Sequence, residues 1–179
     1  MAMTPGMTLT LTLANKWKAY KTGVAADFYS CISDLLENDM VIALDNYTHH
    51  YCFTRLKHSL NVAYASFLLT RFLRWDSRAV ARAGLMHDLF FYDRRDEDFA
   101  ESSHAKEHPK IALLNARAVS PISDLEADII LKHMWLATAA WPRYRESYIV
   151  SLMDKCCALS EVLQALFTRS RLRTVYETA

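Results

Sequence analysis

Residues 54–75, TRLKHSLNVAYASFLLTRFLRW, decide how the rest of the chain is read. Val62, Ala65, Leu69, Phe72 and Leu73 recur at helical spacing and form one apolar stripe, and His58 stands one turn before Val62 on it. Neither Gly nor Pro interrupts the run, so it predicts one long helix. A histidine on a core-facing stripe must be hydrogen-bonded or bound to a metal, because burying an unpartnered polar group is costly.

The same periodicity extends in both directions. Residues 24–43, VAADFYSCISDLLENDMVIA, read as a first helix. Ser77 is a candidate N-cap for a helix from Arg78 to about Leu89, whose Val80, Ala83 and Gly84 lead on to His87. Residues 90–103, FFYDRRDEDFAESS, break the pattern and read as an acidic surface loop with aromatic flanks. Pro109 suits the first turn of a helix running to Val119, with His108 at its start. Ser123 precedes another helix with Ile122, Leu125, Ile129, Ile130 and His133 on one side. Beyond Pro142 a last helix runs from about Arg145 to Ser170, with Val150, Asp154, Cys157 and Ala158 on one face. Nothing alternates with period two. Three Gly and four Pro in 179 residues leave few turn residues for hairpins. The expectation is an all-α fold, a single bundle of about six to eight helices spanning 1–179, with 1–20 a loose N-terminal segment.

Composition narrows the function classes. The chain is 52% hydrophobic and 23% charged with a formal net charge of +1, so no strong field points to nucleic acid or an acidic membrane as partner. No apolar run has the length of a membrane span. Cys31, Cys52, Cys156 and Cys157 match neither a zinc spacing nor a redox C-x-x-C pair and read as small buried residues in a reducing compartment. Met1 to Leu13 has no cationic start and no cleavage site, which argues against a signal peptide and for a cytoplasmic protein.

The chemistry lies in the histidines. His58, His87, His133 and Asp154 each fall on the apolar stripe of a separate predicted helix, and His108 begins another. One buried histidine is ordinary; several converging in a small domain point to a metal, and imidazole with carboxylate suits Fe, Mn, Zn, Ni or Co. The contiguous His87-Asp88 pair stands in GLMHDLFFYD, between RLKHSLNVA with His58 and SLMDKCCALSEVL with Asp154. In this order the chain resembles the HD-domain superfamily of metal-dependent phosphohydrolases, defined by His, then His-Asp, then Asp. The resemblance covers roughly residues 50–160. EHPKIALLNA and ADIILKHMW add His108 and His133, the two extra histidines of members with two metals.

The resemblance implies a binuclear site of two divalent transition-metal ions. His58, His87 and Asp154 would hold one, His108 and His133 the other, and Asp88 would bridge them, with His87 and Asp88 the catalytic pair. Two cations sharing a water lower its pKa, supply hydroxide near neutral pH and neutralise charge on a phosphoryl group. The implied activity is hydrolysis of a phosphomonoester or phosphodiester of a nucleotide or other small anionic metabolite. HD proteins with the same pattern also include di-iron, O2-dependent oxygenases, and a non-catalytic, metal-stabilised binding domain is a third reading. The cyclic-dinucleotide subgroup carries a Gly-Tyr-Pro signature that is absent here.

Several further residues are substrate-binding candidates. His50, eight residues before His58, matches an offset found in small HD proteins, or is a surface histidine beside His49. Related proteins place an arginine near Arg95; alternatively Arg94 and Arg95 belong to a solvated run with Asp93, Asp96, Glu97 and Asp98. Arg55 and Lys57 precede His58 too closely for all three to face the metals. Lys155 either reaches a phosphate oxygen or is solvated. His104, four residues before His108, is an outer group or a seventh ligand. One of Trp135 and Trp141 is available to wall the pocket. The terminal helical segments serve either a homodimer or the domain's own core.

Overall fold

The computed structural model describes residues 23–48, 53–93 and 103–177, with side chains followed to residue 167. Seven α-helices stand among the described residues, with no strand. They are α1 (Val24–Ile32), α2 (Asp39–Ala43), α3 (Arg55–Phe72), α4 (Ser77–Met86), α5 (His104–Val119), α6 (Asp124–Lys132) and α7 (Arg145–Glu177). The all-α expectation holds. None of these helices is long and apolar enough to cross a membrane.

Local chemistry sets the boundaries. The expected helix over 24–43 is broken, because Asn38 is extended and its Oδ1 accepts a hydrogen bond from Met40 N, starting α2 afresh. Thr54 caps α3 by accepting from Lys57 N. Asp76, not Ser77, caps α4: its Oδ1 accepts from Ala79 N at 2.9 Å, and Ser77 becomes the first helical residue. α6 opens on a capping box in which Ser123 and Glu126 satisfy each other's backbone N–H. α5 begins at His104 rather than beside Pro109, so the proline lies in its second turn and leaves the Ala105 carbonyl without a helical N–H.

The central element is α3, packed chiefly by α4 and α7, while α1 packs on α4, and α6 touches α4, α5 and α7. The face of α3 that enters the core is Leu56, Leu60, Ala63 and Phe67, not the stripe read from sequence. Val62 is buried, but Phe72 is 82% exposed. A helix covered on several sides buries small polar residues as well: Ser59, Ser66 and Thr70 are fully buried, and Thr70 Oγ1 donates to Ser66 O at 2.8 Å. The approach of α3 to α4 requires Gly84, where a Cβ would lie 2.9 Å from Ala63 Cα. Phe28 of α1 packs edge-on against Tyr64 at 5.0 Å. Arg82 links α1 to α4 by donating to Cys31 O at 3.0 Å and to Asp34 Oδ1 at 2.7 Å. Cys31 is buried as expected and Cys52 lies outside the described residues, but Cys156 is exposed, because adjacent helical positions face different ways and Cys157 takes the inner one.

Candidate metal centre

Five helices bring six side chains together. His58 comes from the first turns of α3, His108 from α5 and Asp154 from α7. His87 is the C-cap of α4, with Asp88 directly after it, and His133 is the C-cap of α6. Both C-termini therefore aim the negative ends of their helix dipoles at one place, which favours a cation there.

The histidines are oriented by what their Nδ1 atoms touch. His87 Nδ1 lies 2.7 Å from Gly84 O, His108 Nδ1 2.8 Å from His104 O, and His133 Nδ1 2.8 Å from Ile130 O. A carbonyl only accepts, so each Nδ1 carries the proton and donates it, and a ring that is neutral then has its lone pair on Nε2. These lone pairs converge. His108 Nε2 and His133 Nε2 are 2.7 Å apart, and both face Asp88 Oδ1, at 3.3 and 3.6 Å. His87 Nε2 has no hydrogen-bond partner among the described residues; it stands 3.8 Å from Asp88 Oδ2 and 3.7 Å from Asp154 Oδ1. His58 Nε2 is 3.1 Å from Asp154 Oδ1. Orphaned lone pairs buried beside carboxylates are the donor set a metal ion takes, and three groups can hold one: His58, His87 and Asp88; His87, His133 and Asp154; and Asp88, His108 and His133.

The protonation tendencies follow from this geometry. Burial, helped by His108 and His87, pushes His133 down to about 3, which keeps its ring neutral. Burial also opposes a proton on His58, but hydrogen bonds to Asp154 and Glu161 outweigh it and raise the group to about 10. His87 is raised as well, because Asp88 and Asp154 overcome its burial. Asp154 is held well below the usual carboxylate range, its burial overridden by the hydrogen bond from His58 and by the other histidines around it. The place between these groups attracts positive charge, whether proton or metal.

Glu161 escaped the sequence reading. It is 2% exposed, and its Oε2 accepts from His58 Nδ1 at 3.0 Å while Oε1 accepts from Asn61 Nδ2 at 3.2 Å. Its signal was an acid seven residues after Asp154, on the same face of one helix.

The other candidates lie around this cluster. Arg55 is 2% exposed; its guanidinium stacks 3.6 Å from the Phe90 ring centroid and donates to the carbonyls of Phe90 and Tyr92, bracing the segment after Asp88. Lys155 donates to His133 O, Ser151 O and Ser151 Oγ, each at 3.0 Å, so its ammonium serves the C-terminus of α6. His104 stacks on His108 with centroids 4.4 Å apart and its Nδ1 is 3.3 Å from Tyr92 Oη, so it stands behind the cluster rather than in a ligand group. Trp135 packs against Tyr148 at 4.7 Å and Trp141 at 5.8 Å. His50 and Arg95 lie outside the described residues.

No protein-family model, curated protein or solved structure matches the chain.

Proposed function

We propose that this protein is a metal-dependent hydrolase of the HD-domain type, acting on a phosphomonoester or phosphodiester of a small metabolite or nucleotide. The observation that carries this reading is the convergence of Nε2 lone pairs from His87, His108 and His133 on the carboxylate of Asp88. The motif order His58, His87-Asp88, His108, His133, Asp154 supports it.

The motif order implies two divalent ions, and the buried histidine and aspartate groups are a donor set of the kind that would hold them. His58, His87 and Asp154 would hold one, and His108 and His133 the other. Asp88 stands between the two halves, with Oδ1 toward His108 and His133 and Oδ2 toward His87. Bound ions of this kind activate water and neutralise phosphoryl charge. The chain's own residues prepare the place for that chemistry. Three backbone carbonyls hold Nδ1 of His87, His108 and His133, so no ring has to turn before it ligates. Burial of the same rings excludes water from their ligand side. Arg55 holds the backbone from Phe90 to Tyr92 and with it the position of Asp88.

The test is a panel of phosphomonoesters and phosphodiesters offered to the protein loaded separately with Mn, Co, Ni, Zn or Fe. The reading expects metal-dependent phosphate release or ester cleavage that Asp88→Ala abolishes. Metal loading without turnover of any phosphoester would overturn it, and O2 consumption by the iron form would point to oxygenase chemistry instead.

A further inference from the structure

The four histidines of the cluster are not held alike. His87, His108 and His133 donate Nδ1–H to the neutral carbonyls of Gly84, His104 and Ile130. His58 donates to a carboxylate, with Nδ1 3.0 Å from Glu161 Oε2. Glu161 is 2% exposed, and its second oxygen is pinned by Asn61 Nδ2 at 3.2 Å. A buried carboxylate is retained only where hydrogen bonds satisfy it, and these two N–H groups do so. Because Nδ1 and Nε2 lie on opposite sides of an imidazole, Glu161 faces the back of the ring and is not itself placed as a ligand.

We propose that Glu161 is a positioning residue that makes the His58, His87 and Asp154 half of the cluster the tighter of two metal sites. This rests on the two-metal reading given above. A carboxylate behind a ligating histidine fixes the Nδ1–H tautomer and makes Nε2 more basic, to a degree that a neutral carbonyl does not. The added negative charge also strengthens cation binding in that half through a low-dielectric interior. Asn61, exposed on α3 one turn after His58, holds the second oxygen and so the angle of the carboxylate.

The experiment is a calorimetric Zn2+ titration of the full metal-free chain and of Glu161→Gln, with 15N NMR of the histidine rings in the Zn2+-loaded wild type. Glutamine keeps the volume and can still accept from His58, but it carries no charge. The expected result is a tighter binding step weakened by about 10–100-fold in Glu161→Gln, with the weaker step unchanged. The His58 ring should carry its proton on Nδ1 and zinc on Nε2. Equal affinities in a folded Glu161→Gln, or the opposite His58 tautomer, would overturn the inference while leaving metal binding by the cluster intact. A wild-type chain that takes up no Zn2+ would overturn the two-metal reading and this inference with it. Should Glu161→Gln fail to fold, the His58 tautomer and the titration of Asn61→Ala decide: the proposal expects a weakened tighter step there, and an unchanged one contradicts it.

Discussion

His108 and His133 face each other Nε2 to Nε2 at 2.7 Å, although each has already given its Nδ1 proton to a backbone carbonyl. Two lone pairs at that distance repel unless a cation lies between them or one ring takes a second proton. Burial and the neighbouring histidines hold His133 down to about 3, so His133 stays neutral and its Nε2 lone pair is available to a metal ion. His133→Ala should therefore lose one of two metal equivalents and keep its helical content. Asp88→Ala, which removes the carboxylate common to both halves, should lose both. Metal analysis alongside circular dichroism checks this; an Asp88→Ala protein with full metal content would place the ions elsewhere.

The pH dependence of metal uptake has a definite sign. Without metal, both His58 nitrogens donate to carboxylates, to Glu161 at 3.0 Å and to Asp154 at 3.1 Å, and the group is raised to about 10. A raised pKa stabilises the metal-free fold fully below about 6.5, and that contribution is lost as pH rises through about 10. Metal competes for the Nε2 proton, so affinity should increase with pH across this window. Calorimetry at pH 8 in two buffers of different ionisation enthalpy should register proton release on binding. Identical heats, after allowance for the metal–buffer interactions, would show that His58 gives up no proton.

Most of the helical scaffold is legible in the sequence because period and punctuation agree. Residues such as Ile129, Ile130 and Val150 fall on the faces that become buried. The six ligand candidates are legible for a related reason: a titratable group on an apolar stripe is costly to bury alone, so several such groups imply a shared partner. Three features are hidden for physical reasons. The core face of α3 is obscured because a helix packed on several sides buries Ser59, Ser66 and Thr70 while its last turn leaves Phe72 in solvent. Asp76 displaces Ser77 as the cap because both side chains suit that position and only the backbone chooses. Glu161 resembles any helical glutamate until the packing of α7 on α3 brings it to His58.

Gly84 couples the scaffold to the site. Its carbonyl receives His87 Nδ1, and a Cβ there would approach Ala63 Cα to 2.9 Å. Gly84→Ala should force α3 and α4 apart and destabilise the protein by about 1–3 kcal/mol, the usual cost of overpacking. Urea denaturation measures it. A variant as stable as wild type would show that the helix contact can relax.

Arg55 should matter to stability through the segment it holds. Arg55→Met leaves the buried carbonyl of Phe90 without its donor, at a cost of about 1–3 kcal/mol. Arg55→Lys should rescue only part, since one ammonium cannot reproduce a planar fork that serves two carbonyls while stacking on Phe90. Denaturation midpoints of the two variants against wild type check both statements; full rescue by lysine would mean that charge alone suffices.

Whether the histidine and aspartate cluster holds metal is decided by elemental analysis of protein purified without chelator. About two transition-metal ions per chain are expected, as two-metal hydrolytic sites require. A chain that holds no metal, even after reconstitution with Fe, Mn, Co, Ni and Zn in turn, has no metal centre in this cluster.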